Sequence, residues 1–452
     1  MERTKSTGKM NDEIKAEKKK HNLIIHFLIY PVIFVVTVCI LTLFMVLSTY
    51  VPQEKIVDNY KESADYLCEK AVFFDEIQKV PPSKIDRYAD SILLNIGWYF
   101  DKEHPFTSVM RDSYYYTNYQ NENNNLYDAL NKNKDATLQY IRYWHGSAAV
   151  VRILHLIFNI KHIYIFHAVL LIILFVLLAV VLCKRKLFEE LVALIIGLVI
   201  ISVWFVPLSL EYTWTFICMF IACTCVLNIE KRNSDTMLYL VFMVTGIITN
   251  YLDFLTTETL TLLVPLLLLY RVRLTQLNDK KQFTDMFVKS SVSWGIGYVG
   301  MWVTKWILAS FILHENVMPY VTEHISERLG GGNYNFSLPE YCFKAIVNNV
   351  KCLFPLGYGG IGAVIAILLI FALLYVTYVY HGKDINFKNI IVYSIIGFVP
   401  FVRYIVLHNH SFIHYFFTYR AQLVGIMACC FVVFEIVDRR YFKNAFSHRR
   451  KA

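Results

Sequence analysis

The stretch HIYIFHAVLLIILFVLLAVVLCKRK, residues 162–186, decides the fold class of this chain. About 20 consecutive apolar residues are what an α-helix needs to cross a bilayer core of about 30 Å. The stretch ends in three consecutive basic residues, which is typical of the cytoplasmic end of such a helix. It therefore predicts a transmembrane helix whose basic end faces the cytoplasm.

Similar apolar stretches recur along the whole chain. Of its 452 residues, 56% are hydrophobic and only 17% are charged, which is more apolar than a soluble domain. We predict an all-α integral membrane protein with about ten transmembrane helices. The first covers residues 22–51, and the others begin near His162, Leu191, Tyr212, Thr236, Thr259, Ser291, Gly359, Asn389 and Thr418.

The two tails and every second loop between the predicted spans are basic, so all six basic segments lie on the same side of the membrane in this topology. The basic segments are residues 1–21, 184–186, 231–232, 271–289, 383–388 and 437–452. Because cytoplasmic loops carry an excess of Lys and Arg, this pattern places both termini in the cytoplasm and the protein in the plasma membrane. The net charge of +9 is then explained by topology and by contact with anionic membrane lipid, so no nucleic-acid partner is expected.

The largest segment between spans is residues 52–161, which this topology places outside the cell. Helical periodicity occurs at residues 56–74 and 85–100, whereas the polar stretch 114–133 predicts a loop. The apolar stretch 146–160 contains Arg152 and predicts a helix lying along the membrane interface. The remaining residues, 162–436, predict a polytopic helical bundle. Its second outer segment, residues 314–358, has a turn near Gly331 and an amphipathic stretch at 340–354.

Two acidic residues of the first outer segment are four positions apart. Asp86 and Asp90 therefore share one face of a predicted helix. Paired carboxylates can differ in pKa and serve as a general base and its partner. The alternative is an ordinary solvated helix face with no catalytic role.

A second polar cluster lies in the outer turn NYLDFLTTE, residues 250–258. Asp253 and Glu258 border an apolar stretch that runs into the membrane, where a charge is costly unless it is paired or used. Asp253 is therefore a further candidate acid and Glu258 a candidate binding residue. Thr256 or Thr257 has a simpler explanation, which is capping of the next helix.

The third cluster is HNHSFIH at residues 408–414, followed by Arg420. His410 and His414 are four positions apart and can face one site. Histidine transfers protons near neutral pH, and arginine binds phosphate. A divalent metal is an alternative that we do not favour, because the chain has no HExxH motif and offers no obvious third ligand here.

Single charged residues complete the candidates. Lys305 lies within an apolar span that contains no acidic residue, and an intramembrane lysine is by default a functional candidate. Arg403 lies near the outer end of its span, where snorkelling also explains it. His145 ends the first outer segment, and Glu211 lies in a short turn after a proline. Cys342 and Cys352 share an outer segment and can form a disulfide or stay as free thiols.

The arrangement resembles the GT-C class of membrane glycosyltransferases. The matching features are the long first outer segment with Asp90, the predicted interfacial stretch 146–160 and the polar outer turns. The segments that carry the resemblance are YWHGSAAVVRIL at 143–154, NYLDFLTTETLTLLVPL at 250–266 and NHSFIHYFFTYR at 409–420.

The resemblance implies transfer of a sugar from a polyprenyl-phosphate donor to an envelope glycan or lipid acceptor. Asp90, expected at the protein surface, would take the proton of the acceptor hydroxyl, with Asp86 or Asp253 as alternative acids. Lys305, Arg403 or Arg420 would hold the lipid phosphate, and His145, His410, His414 and Glu258 would contribute to substrate binding. No further cofactor is required, since fixed charges can stabilise a phosphate leaving group. Rival interpretations are a transporter or flippase of an amphiphilic solute, a glycan polymerase or ligase, and a non-catalytic scaffold.

Overall fold

The computed structural model describes residues 28–118, 120–232, 234–274, 280–329, 336–353, 361–382 and 385–438. Within these ranges the chain is almost entirely helical. Its one named sheet there is an antiparallel hairpin of β1 (Phe73–Asp75) and β2 (Lys84–Asp86). Seven helices in the described part are long and apolar enough to cross a membrane. These features agree with the predicted all-α membrane protein.

The helices are α1 (Leu28–Ser48), α2 (Gln53–Cys68), α3 (Arg87–Trp98), α4 (Pro105–Arg111), α5 (Glu122–Asn131), α6 (Gly146–Leu154), α7 (Ile160–Lys184), α8 (Phe188–Ile200), α9 (Thr213–Glu230), α10 (Asp235–Leu252), α11 (Leu260–Arg273), α12 (Lys280–Leu313), α13 (Met318–Leu329), α14 (Leu338–Lys351), α15 (Ile361–Val379), α16 (Phe387–Val406), α17 (His408–Ile413), α18 (Tyr415–Thr418) and α19 (Leu423–Ile436). The seven candidate spans are α1, α7, α9, α10, most of α12, α16 and the run from α18 to α19. The other predicted spans coincide with α8, α11 and α15. Because α8 and α11 have only 13 and 14 residues, the predicted number of spans stays a prediction.

Parts of the predicted organisation fall outside the described residues. These parts include the basic tail 1–21 and residues 22–27 of the first predicted span, residues 439–452 of the other basic tail, and the turn near Gly331. The second outer segment otherwise contains α13 and α14, and α14 coincides with the predicted amphipathic stretch at 340–354.

The first outer segment folds into a small helical assembly on one end of the bundle. The predicted helices at 56–74 and 85–100 correspond to α2 and α3. The predicted loop at 114–133 is wrong, because it contains α5. Asn121 caps α5 by accepting from the backbone N–H of Asn124, and Leu126 and Leu130 are buried. The many polar residues around these two leucines concealed a helical pattern of spacing four.

The helix expected along the membrane interface is α6, and most of its residues are buried against the rest of the protein. Seven of the positions in α6 and its cap, His145 among them, are covered by protein. Arg152 of α6 donates to the carbonyl oxygens of Ser48 at 3.1 Å, Gly97 at 2.5 Å and Val51 at 2.8 Å. Because the last carbonyls of a helix lack partners within it, one guanidinium here satisfies the ends of both α1 and α3. Arg152 thereby fixes the outer assembly to the first span.

Close packing of α10 on α12 holds the centre of the bundle. A Cβ atom on Gly246 would lie 2.2 Å from the carbonyl oxygen of Trp294, and one on Gly297 would lie 2.1 Å from that of Met243. Only glycine permits this approach, which is a common way for membrane helices to pack. The packing sets the position of α12, whose outer half supports the site described next.

Candidate functional site

A cleft of about 80 Å³ opens where the first outer segment meets the turns before α9, after α10 and after α16. Tyr140, Tyr143 and Phe254 form part of its wall. Five of its lining residues are acidic residues or histidines and come from distant parts of the sequence: Asp86, His145, Glu211, His410 and His414. The structure therefore brings the first and third predicted clusters together, and Phe254 places the second cluster next to them.

Asp86 is held at the cleft by the β-hairpin and by the start of α3. It pairs with Phe73 across the hairpin, and its Oδ1 accepts from the backbone N–H of Ala89 at 2.9 Å. The residue is only 2% exposed. Burial raises its pKa from 3.8 to about 7, although backbone hydrogen bonds and the charge of Lys84 act in the opposite direction. Asp86 can therefore exchange a proton near neutral pH.

Asp90 lies beneath the cleft and is not part of its lining. Its carboxylate accepts from the Tyr164 hydroxyl of α7 and, at 2.8 Å, from the backbone N–H of Leu210. The expectation of a surface carboxylate is wrong, since Asp90 is fully buried. Burial raises its pKa to about 8, with the hydrogen bond from Tyr164 opposing the shift. Asp90 thus connects α3 to α7 and to the turn before α9.

His145 begins α6 at the cleft with a left-handed backbone, φ 50°. This conformation is uncommon for a residue other than glycine, and such strain is concentrated at functional sites. Its Nδ1 lies 3.1 Å from Oδ2 of Asp112, while its Nε2 is buried with no hydrogen-bond partner among the described residues. Burial lowers the pKa of His145, and the Asp112 carboxylate opposes this shift. His145 therefore provides a neutral imidazole at the cleft.

Lys305 of α12 lies directly behind His145. Its Nζ donates to Oδ2 of Asp112 at 2.8 Å and to the Val109 carbonyl at 2.9 Å. Both charged side chains are fully buried. The anionic partner that this intramembrane lysine requires is thus a protein carboxylate of the first outer segment. Lys305 supports the cleft from behind and does not line it.

The second predicted cluster forms a buried network beside the cleft. Arg403 donates from Nε to Glu258 at 2.6 Å and also to a backbone carbonyl of the same turn at 2.5 Å. Snorkelling therefore does not explain Arg403. Asp253 accepts from both the backbone N–H and the hydroxyl of Thr256. Burial, followed by the nearby charge of Glu258, raises the pKa of Asp253 to about 7. None of these three charged residues lines the cleft.

Two residues of the third predicted cluster line the cleft, and Arg420 lies behind its wall. The rings of His410 and His414 lie 4.7 Å apart, and both line the cleft. Arg420 is fully buried and donates at 3.2 Å to the carbonyl of Pro82, close before Asp86 in sequence. Its guanidinium lies 4.9 Å from the ring centre of Tyr212. Arg420 therefore places a positive charge behind the cleft wall.

Metal and disulfide sites were further alternatives. Among the described residues, no group of three or more His, Cys, Asp or Glu side chains is arranged to hold a metal ion. Cys342 and Cys352 are both described and both are thiols, so the predicted alternative of a disulfide between them is not formed.

Asp112 is the residue of the site that the sequence did not reveal. It lies in a polar outer segment rich in acids, and no fixed spacing links it to His145 or Lys305. The one available signal was Lys305 itself, because a lysine in an acid-free span requires an anionic partner from elsewhere.

No protein-family model, no curated protein and no solved structure matches the chain.

Proposed function

We propose that this protein is a membrane glycosyltransferase. It transfers a sugar from a polyprenyl-phosphate donor to a hydroxyl group of an envelope glycan or lipid, and the reaction takes place in the cleft. The observation that carries the proposal is the convergence of Asp86, Glu211 and three histidines on one cleft at the end of a membrane bundle. Acidic side chains and histidines that converge on one cleft are candidates for acid, base and binding roles.

An apolar groove next to the cleft supports an amphiphilic donor. The groove has a volume of about 420 Å³ and is lined by Phe175 of α7, Leu198 of α8 and Trp204, among other apolar side chains. Trp204 belongs to a 3₁₀ turn, Val203–Leu208, and the chain reaches the cleft at Glu211 only three residues after this turn. The apolar groove and the polar cleft are therefore separated by only one short segment. A donor with an isoprenoid chain and a sugar phosphate would need such neighbouring apolar and polar sites.

The environments of two cleft residues suit acid and base roles. Burial raises the pKa of Asp86 to about 7 and lowers that of His145, so a protonated carboxyl and a neutral imidazole can coexist near pH 7. In the proposed reaction the acceptor hydroxyl attacks the anomeric carbon, and the bond to the lipid phosphate breaks. Asp86 then donates a hydrogen bond to the leaving phosphate, a role in place of the one expected for Asp90. The charge of Arg420 behind the wall adds electrostatic stabilisation.

The cleft must widen to admit a sugar. Its volume of about 80 Å³ has room for a few water molecules. Tyr140 and Tyr143 lie in the non-helical segment between α5 and α6, which is the part of the wall that can move without breaking a helix. We therefore expect binding of the donor to displace these two rings.

The proposal is tested with purified protein in lipid nanodiscs. The probes are short-chain polyprenyl phosphates that carry labelled glucose, galactose, mannose or N-acetylglucosamine, and the readout is release of polyprenyl phosphate by mass spectrometry. We expect release from at least one donor, with a requirement for Asp86. Asp75→Asn serves as the matched control, because Asp75 is an exposed acid on the same hairpin.

Two results would contradict the proposal. One is movement of an intact donor across the bilayer without cleavage, which would favour a flippase. The other is the absence of release from every donor by protein that is folded and binds lipid.

A further inference from the structure

We infer that His145 is the base of the proposed transfer and that Asp112 and Lys305 are positioning residues that fix its ring. This inference rests on the proposed function and assigns one of its steps. The acceptor's hydroxyl proton passes to Nε2 of His145 while the hydroxyl oxygen bonds to the anomeric carbon. The electron pair of the broken bond leaves with the lipid phosphate, and the imidazolium later returns its proton to water.

The hydrogen bonds of His145 determine its tautomer. A carboxylate can only accept, so the contact of 3.1 Å between Nδ1 and Asp112 requires a proton on Nδ1. In the neutral ring the lone pair is then on Nε2. That atom is buried without a partner among the described residues, and His145 lines the cleft. Because Nε2 has no protein partner within the described part of the chain, its lone pair can accept from a ligand once the cleft widens as proposed above.

Lys305 keeps Asp112 in the position that His145 needs. One oxygen, Oδ2, accepts from both the lysine at 2.8 Å and the imidazole, and all three side chains are almost completely buried. Trp144, the residue before His145, donates from Nε1 at 2.7 Å to the Met301 carbonyl of α12, so the start of α6 is joined to the helix that carries Lys305. A buried carboxylate with two donors on one oxygen has little freedom to rotate, so the imidazole is oriented before any substrate arrives.

The surroundings of His145 are mostly aromatic, with two cations. The charged groups nearby are Asp112, Lys305 and Arg142, and the rings in contact are those of Tyr140, Tyr143 and Phe254. The Asp112 charge favours protonation of the ring, whereas the charges of Lys305 and Arg142 oppose it. Burial is the main cause that lowers the pKa of His145 and keeps the base neutral beside its carboxylate neighbour, and the charge of Lys305 acts in the same direction.

The decisive experiment is chemical rescue of His145→Gly. Glycine suits the left-handed backbone at this position, so the variant is expected to fold. We expect its turnover to fall by about 10²–10⁴-fold, the usual contribution of a general base, and added imidazole to restore turnover in a concentration-dependent way. A structural role predicts no rescue. His155→Gln is the matched control, since His155 is a buried histidine of the same segment that lies outside the cleft.

The positioning roles have a separate readout in the pH profile of kcat/KM. In Lys305→Met the acidic limb should move to higher pH, because loss of the lysine charge raises the pKa of His145. If that variant does not fold, the uncharged pair Lys305→Met/Asp112→Asn replaces it, and we expect a low kcat with nearly unchanged donor KM. Glu315→Gln, which breaks the exposed pair with Arg111 on the same side, should change neither quantity.

Each outcome supports or overturns the inference. If wild-type protein turns over a lipid-phosphate sugar and His145→Gly is as active, or is inactive without rescue, the assignment of the base is wrong and the proposed function stands. If wild-type protein turns over none of the donors, the proposed function and this inference fail together.

Discussion

Among the described residues, buried charged side chains form ion pairs at one end of the helical bundle, whereas the buried carboxyl group of Asp86 at the other end does not. At the end with the basic loops, Arg271 donates to Glu189 at 2.7 Å and to Glu190 at 2.8 Å, and Arg185 pairs with Glu230 at 2.5 Å. At the cleft end, Asp86 forms no ion pair within the described part of the chain and accepts its hydrogen bond from the backbone. Paired charges hold helices together, whereas a buried carboxyl without a counter-charge has a raised pKa and can exchange protons.

This difference suggests a division of roles: the basic end contributes mainly to stability, and the cleft carries the proposed reaction. The arginines of the basic end were interpreted from sequence as signals of topology and lipid contact, and Arg185 and Arg271 also bridge neighbouring helices. The cleft end also contains paired charges, Arg403 with Glu258 and Lys305 with Asp112, but these lie behind the cleft and not in it. Functional groups thus rest on a layer of structural ion pairs.

The first test asks whether the cleft end and the basic end lie on opposite sides of the membrane. In a background without native cysteines, Gln120→Cys in the outer assembly should react with a membrane-impermeant maleimide on intact cells. Lys231→Cys at the basic end should react only after permeabilisation. Both positions are exposed, so access depends only on the side of the membrane. The reverse pattern would place the cleft in the cytoplasm.

The largest effect on activity is expected at Asp86. Asp86→Asn should lower kcat by about 10²–10⁴-fold, the usual contribution of an acid or base. Stability should be kept, because Asn caps a helix nearly as well as Asp. Asp90→Asn should reduce activity less, since Asp90 connects elements beneath the cleft and does not line it. A greater loss in Asp90→Asn than in Asp86→Asn, measured per folded molecule, would restore Asp90 as the catalytic acid.

At the basic end, a substitution should lower stability and leave kcat unchanged. Arg271→Met removes the partner of the buried Glu190 carboxylate and of the partly exposed Glu189 carboxylate, and it should lower the free energy of unfolding by about 3–5 kcal/mol. The kcat of the remaining folded protein should stay at the wild-type value. Denaturation in mixed micelles measures the first quantity and the transfer assay measures the second. A fall in kcat without a loss of stability would show that the two ends do not divide these tasks.

A smaller effect is expected in the pH dependence of stability. The pKa of Asp86 is raised from 3.8 to about 7 and that of Asp90 to about 8. Because the folded state binds these protons more tightly than the unfolded state, the stability they contribute is fully present below pH 4 and is lost as the pH rises towards 8. Asp86→Asn should therefore be more stable than wild type at pH 8 and equal to it at pH 4. A variant with the same pH dependence as wild type would show that Asp86 is not buried in solution.

Much of the architecture was predictable because membrane helices follow simple physical rules. A stretch such as residues 162–186 must be helical in lipid, and α7 spans most of it. Asp86 was recognised by its spacing of four from Asp90, and the cluster around His410 was recognised as a group of polar residues beside apolar spans. Asp86 and His410 both line the cleft, whereas Asp90, Asp253 and Lys305, which were also predicted site residues, lie outside its lining.

The errors have a common physical origin, which is burial by other parts of the chain. Asp90 looked like a surface acid because its covering elements, α7 and the turn at Leu210, lie more than 70 residues away in sequence. Asp112 was missed for the same reason, since its partner Lys305 is 193 residues away. Helical spacing shows which residues share a face, and it contains no information on what covers that face.

The most direct test of the account is a structure with a donor analogue bound. The ligand is a short-chain polyprenyl phosphonate sugar that cannot be cleaved, and cryo-electron microscopy in nanodiscs is the measurement. We predict the anomeric carbon between Asp86 and His145, the chain in the groove beside Trp204, and the rings of Tyr140 and Tyr143 displaced. An analogue bound at saturating concentration on any other surface, with the cleft closed and unchanged, would contradict the account.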